Sequence, residues 1–242
     1  MTTRTDRPVG EEVKNTTPAK LPKGLIMKGR FVTLEPLSLS HTDDLFAAVG
    51  GPGCDHIWDY MFAGPFSDKP RADFDAYIAD KVVSTDPTFF AIIDSTTHKA
   101  IGMASYLRID ITNKVVEVGH LTFSPSHQRT SSATETMYLM ARATFEDLGY
   151  RRYEWKCNNL NAPSKRAALR LGFKPEGVFR QHFIIKGRNR DTAWFSMLDS
   201  EWPGVKAGFE KWLDPGNFDG EGKQKVRLEV LREQVAAETP GQ

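Results

Sequence analysis

Between Phe123 and Ala133 the chain reads FSPSHQRTSSA, a polar turn rich in hydroxyls between two apolar segments. Upstream, VVEVGHLTF is dense in β-branched and aromatic residues and predicts a strand. Downstream, Ala133, Met137, Met140, Ala141, Thr144, Phe145 and Leu148 recur at the spacing of one helix face, which Gly149 closes. Gln128, Arg129, Thr130, Ser131, Ser132 and Ala133 therefore fall at a helix N-terminus. Unpaired main-chain N–H groups and the positive end of the dipole favour an anion there. The same residue types also serve as plain caps in helices that bind nothing. Two titratable side chains sit on the preceding strand. Glu117 and Gly119 share one face, while Val118 and His120 share the other unless a bulge intervenes. His120 has an ordinary pKa suited to moving a proton at neutral pH, though a lone strand His is also commonly structural, and Glu117 by itself reads as an exposed or ion-paired strand carboxylate.

These residues need a sheet and crossover helices to bring them together. LIMKGRFVTLEPLSLS opens the folded part as a strand broken at Pro36, and HTDDLFAAV follows as a short helix. DHIWDYMFAGPFSD is aromatic but aperiodic and predicts a surface loop, whose Trp58, Tyr60 and Phe62 are either pocket walls or core anchors. RADFDAYIADKVVS predicts a helix, and residues 89–109 a hairpin that NKVVEVGHLTF extends. After the central helix come a strand at RYEWKCN, a helix at NAPSKRAALRLGF with Gly172 at its end, and two strands around Gly187. Two helical crossovers among hairpins predict an α/β fold, its sheet mostly antiparallel with a parallel pair near the middle. The expected organisation is a disordered arm at 1–23, one domain at 24–202 and a partly helical extension at 203–242.

Composition narrows the function classes. A chain of 242 residues that is 40% hydrophobic can bury a sizeable core. The formal charge of +1 gives no general reason to expect nucleic acid or a membrane surface as partner. Cys54 and Cys157 lack metal-type spacing, and two lone thiols suit a reducing, cytoplasmic setting. No apolar run approaches the roughly 20 residues that cross a bilayer. A monomer or homodimer without a metal is expected.

SPSHQRTSSATE, followed by YRRYEWKCNNLNAPSKRAALRLGFKPEG, resembles the GCN5-related N-acetyltransferase (GNAT) superfamily, and within it the ribosomal-protein N-acetyltransferase branch. GRFVTLEPLS, LGFKPEGVFRQ and GRNRDTAWFSMLDSEW extend the likeness over about residues 25–202. The resemblance implies the GNAT fold, with a parallel strand pair that splays apart, and acetyl-coenzyme A as donor. Its pyrophosphate would lie on the turn at 128–133. Main-chain N–H groups around Leu121 and Phe123 would polarise the acetyl carbonyl. The resemblance also makes Glu117 the base, and places Asn161 near the pantetheine arm and Ser164 near the sulfur as proton donor. Three positions depart from the pattern: Ser131 where the family has Gly, Phe173 where other branches have an acidic Tyr, and Phe183 where the ribosomal branch can carry Glu.

The pKa of the acceptor amine narrows its class. A lysine amine costs about 4.6 kcal/mol to neutralise at pH 7, an α-amine only about 1.1. A site without a strong base therefore suits a protein N-terminus or similar α-amine. A small amine such as an amino acid, polyamine or antibiotic is the alternative, and a non-catalytic acetyl-coenzyme A-binding module the third reading.

Overall fold

The computed structural model describes residues 8–238. Eight strands make one sheet: β1 (Met27–Lys28), β2 (Val32–Pro36), β3 (Thr88–Asp94), β4 (Ala100–Asp110), β5 (Val115–Phe123), β6 (Arg152–Asn158), β7 (Lys174–Ile185) and β8 (Arg188–Leu198). Their order is β1-β2-β3-β4-β5-β6-β8-β7, and every neighbouring pair is antiparallel except β5 with β6. The mixed α/β class with its single parallel pair is as the sequence predicts. The opening segment differs: instead of one strand, residues 27–36 fold into a two-stranded hairpin.

Helices α1 (Thr42–Leu45), α2 (Arg71–Val82), α3 (Ser131–Arg142), α4 (Ala162–Leu171), α5 (Trp202–Leu213) and α6 (Leu228–Glu238) flank the sheet. Strand β3 reads TFFAIID without polar alternation because both its faces are covered. Phe89 and Ala91 pack with Trp58, Phe74 and Ile78 under α2, whereas Phe90 and Ile92 join Tyr106, Met137 and Met140 under α3. Trp202, Phe209 and Trp212 of α5 and Leu228 and Leu231 of α6 enter that second, larger core. Residues 8–26 hold no helix or strand, yet the N–H groups of Ala19 and Lys20 donate to Ile111 and Leu148. The start of the expected arm, residues 1–7, lies outside the described residues. Among those described, no helix is long and apolar enough to cross a membrane.

Three local features of the sheet and of α3 shape the surface around β5. The β5–β6 ladder runs from Val115↔Arg152 to Val118↔Trp155 and stops, so the strands part beyond that point. On the other edge of β5, Met103 faces Thr122 and Ser105 faces Gly119, so His120 and Leu121 together oppose a single residue. That is a β-bulge, and His120 takes the left-handed φ of 50° there. Finally, the buried Glu135 carboxylate on α3 accepts N–H donations from Arg30 (2.8 Å), Phe31 (2.6 Å) and Val32 (3.0 Å), tying the first hairpin to α3.

Candidate active site

Where β5 and β6 part, a cleft of about 1470 Å³ opens. Glu117, His120, Leu121 and Phe123 line it from β5, and Gln128, Arg129, Thr130, Ser131 and Ala133 from the turn before α3. Asn161 and Ser164 of α4 and Tyr60 and Phe62 of the aromatic loop complete the set. Of the residues singled out from sequence, Trp58, Ser132 and Phe173 stand back from the cleft. Trp58 is fully buried, donates its indole N–H to Val49 O (2.8 Å) and meets Phe66 and Tyr77 edge-on. It is a core anchor, not a pocket wall.

The turn owes its shape to its own polar groups. Thr130 is the N-cap of α3: its Oγ1 accepts the Ala133 N–H (3.1 Å) and donates to His127 O (2.6 Å). Ser132 turns inward, its Oγ 2.9 Å from His127 Nδ1 and 2.7 Å from Thr130 Oγ1. Gln128 Nε2 donates to Phe123 O (2.9 Å) and braces the turn against β5. The N–H groups of Gln128 and His127 donate to Ser124 O, whereas those of Arg129, Thr130, Ser131 and Ser132 find no acceptor among the described residues. The position where the family's glycine would stand needs no special backbone. Arg129 takes the left-handed φ of 62°, and Ser131 is simply the first residue of the helix.

Glu117 is buried and ion-paired through Oε2 to Arg108 Nη1 (2.5 Å) and Lys156 Nζ (2.8 Å), leaving Oε1 without such a partner. The bulge brings His120 into the same cleft, against the alternation of an unbroken strand. Its Nδ1 lies 2.9 Å from the buried Ser105 hydroxyl, and its ring packs 5.0 Å from Phe89. Burial, reinforced by Lys81 and Arg108, pushes the His120 pKa down to about 4. His120 is therefore neutral at pH 7 and a weak proton acceptor.

Ser164 Oγ accepts the Trp155 indole N–H (3.0 Å), so its own hydrogen is free to point elsewhere. Asn161 Oδ1 accepts the Ser164 N–H (3.0 Å) and caps α4. Phe173 packs on Tyr153 and Trp155, while Phe183 lines the cleft. Sequence reasoning missed several cleft residues: Lys156, Arg190 and Thr192 on β6 and β8, Arg170 on α4, and Trp212, Phe218 and Lys223 near the C-terminus. Basic residues at every second position of GRNRDT were the only signal for Arg190, and the sequence held none for the C-terminal group. Among the described residues, no three His, Cys, Asp or Glu side chains cluster as metal ligands.

Residues 32–174 match the acetyltransferase (GNAT) domain family. The chain is similar to a GCN5-related N-acetyltransferase from Brucella melitensis, whose crystal structure superposes with a TM-score of 0.88. The two are 45% identical over 91% of this chain and 100% of that one. It is 29% identical over 174 residues to a Bacillus licheniformis protein named Uncharacterized N-acetyltransferase p20, spanning 72% of this chain and 96% of that protein. A Bacillus subtilis (strain 168) protein whose name proposes a ribosomal N-acetyltransferase is 27% identical over 43% of this chain and 57% of its own length.

Proposed function

The chain belongs to the GNAT acetyltransferase family and is an N-acetyltransferase, and from that premise we propose that it carries acetyl from acetyl-coenzyme A to an α-amine, a protein N-terminus being the acceptor. One observation carries the donor: four consecutive unpaired N–H groups, from Arg129 to Ser132, at the start of α3 beside the cleft. Successive main-chain donors at a helix N-terminus suit a diphosphate, and the Arg129 and Arg170 side chains on the cleft add positive charge. Arg129, Thr130, Ser131 and Ser132 would hold the pyrophosphate; the N–H groups of Gln128 and Ala133, expected from sequence to join them, are already taken by Ser124 O and Thr130 Oγ1 and only shape the turn. Asn161 and Ser164 would hold the arm that leads to the sulfur.

Bound acetyl-coenzyme A supplies a thioester whose acyl carbon is already activated for attack. The protein's own groups do the rest. Past Val118 the β6-facing edge of β5 has no ladder partner, so N–H groups near Leu121 and Phe123 are available to polarise a carbonyl oxygen. As the new N–C bond forms and the C–S bond breaks, the amine proton passes to Glu117 Oε1, directly or through a water. Ser164 gives its hydroxyl hydrogen to the departing sulfur and takes back, through water, the proton that Glu117 received, so that amide, thiol and the resting protein remain. Tyr60 and Phe62 wall the acceptor side.

The choice of amine rests on the weakness of the available bases. His120 is neutral and poorly basic, and Glu117 shares its carboxylate with two cations. An α-amine needs about 1.1 kcal/mol to be neutral at pH 7 and a lysine about 4.6. The test uses a peptide with a free N-terminus and one internal lysine, following thiol release from acetyl-coenzyme A and locating the acetyl by mass spectrometry. Acetyl on the α-amine, at least a hundredfold ahead of lysine, is expected. Glu117→Gln should slow the lysine reaction more than the α-amine reaction. Equal labelling of both amines, or thiol release no faster than without peptide, would overturn the reading.

A further inference from the structure

A row of alternating charges crosses the sheet beside the cleft. Arg108 pairs with Glu117 (2.5 Å), Glu117 with Lys156 (2.8 Å), and Lys156 with Glu154 (2.7 Å). Glu154 then pairs with Arg152 (2.7 Å), which clamps Glu176 through two nitrogens. Three cations face three carboxylates, so the row is electrically closed. Arg190 on β8 stands outside it. The residue is only 8% exposed, and its Nε donates to the buried Thr192 hydroxyl at 3.2 Å. Its two terminal nitrogens meet no carboxylate and no other acceptor among the described residues, and the side chain lines the cleft.

A guanidinium keeps its charge, so burying one without a counter-ion is costly unless something else supplies the anion. Burial does lower the Arg190 pKa, with Cys157 and Glu117 opposing, but a group of this basicity stays charged. Glu117, the carboxylate that acts on it, is already paired with Arg108 and Lys156, and the rings of Phe62 and Phe183 lie 5.5 Å and 5.7 Å from the guanidinium carbon. A cation–π contact offsets only part of the desolvation.

We propose that Arg190 selects the acceptor, its two terminal nitrogens receiving a carboxylate or equivalent anionic group carried by the amine substrate. The inference rests on the acetyl-transfer reading above. Planar, two-point pairing is what a guanidinium offers a carboxylate. A polyamine would instead bring further positive charge to a cation that already lacks a partner. The anion can belong to a free amino acid or to an acidic side chain at a peptide N-terminus, since both place a carboxylate within a few bonds of the amine.

Matched acceptors test this. Thiol release from acetyl-coenzyme A is measured with glycine against glycinamide, with Asp-Ala-Ala-amide against Asn-Ala-Ala-amide, and with spermidine, each rate divided by the fraction of the amine that is neutral at the assay pH. The anionic member of at least one pair should lead by tenfold or more in kcat/KM, mostly through KM, and which pair does so identifies the source of the anion. That ratio should collapse toward one in Arg190→Gln and fall partway in Arg190→Lys. A cation held for a substrate is a burden on the free protein, so Arg190→Gln should keep or raise Tm, which a merely structural arginine would not allow. Equal rates within both pairs, a preference for spermidine, or a ratio unchanged in both variants would overturn the proposal. If no acceptor turns over, calorimetric titration of the coenzyme A-saturated protein with glycine and with Asp-Ala-Ala-amide decides. Binding that Arg190→Gln abolishes keeps the proposal and removes the acetyl-transfer reading. No binding of either removes both.

Discussion

Ser164 has one hydrogen to give and the Trp155 indole to ensure that its lone pairs, not that hydrogen, are occupied. A donor of this kind works mainly in the transition state, so Ser164→Ala should lower kcat by roughly a hundredfold while the coenzyme A Kd moves only a few-fold. Steady-state kinetics beside calorimetry separates the two, and equal losses in both would mark Ser164 as a binding or capping residue. His120 shows what burial does to a plausible base: with its pKa near 4, His120→Gln should leave the acidic limb of the rate profile near neutral pH where it was. The turn, Glu117 and Ser164 were legible because their order along the chain matches a known pattern. Arg190 was not, being one of 32 lysines and arginines until the other charges are seen to pair among themselves.

The beginning of α3 ties sequence to function most tightly. Thr130 precedes it in extended conformation, φ −102° and ψ 170°, and Ser131 is the first helical residue. Proline is accepted at such a position, and its predecessor already has the backbone that proline requires. Ser131→Pro should therefore delete one N–H donor without breaking the helix. Losing one hydrogen bond to a charged group should weaken coenzyme A binding by about 2 kcal/mol, or about thirtyfold, in calorimetry. Ser131→Ala, which keeps the N–H, should bind within a few-fold of wild type; a proline variant that binds like the alanine one would contradict the cradle. The helices and hairpins were readable from periodicity and turn residues. The bulge at His120 was not, because one extra residue in a strand leaves no mark on an apolar run, yet it moves His120 to the cleft. The first hairpin hid for a related reason: LIMKGRFVTLEP reads as one apolar stretch until Glu135, more than a hundred residues away, collects its turn N–H groups.

One sheet with cores on both faces carries the site, and its stability should carry a pH signature. His127 is buried and His120 half-buried at the cleft, and both are pushed down to about 4, chiefly by burial, from an ordinary value of about 6.5. The unfolded chain takes up protons first, so their contribution is complete above pH 6.5 and drains away as pH falls from 6.5 through 4. Urea unfolding should lose on the order of 3 kcal/mol between pH 7.5 and pH 5, and His127→Gln should flatten that slope by about half. A level profile across this window would show that the histidines are not held neutral. At the same scale, α5, α6 and the segment between them, which sequence could only mark as an extension, bring Trp212, Phe218 and Lys223 to the cleft. Nothing in their composition announces this, because the contact depends on how α5 and α6 pack against the core. Hydrogen–deuterium exchange over the full chain, with and without coenzyme A, tests the central claim most directly. The free N–H groups of Arg129 through Ser132 should exchange fast alone and slow at least tenfold with coenzyme A, together with amides at Asn161, Ser164 and Lys223, while α2 on the other face stays unchanged. Protection that leaves residues 129–132 untouched, or falls on α2 instead, would contradict it.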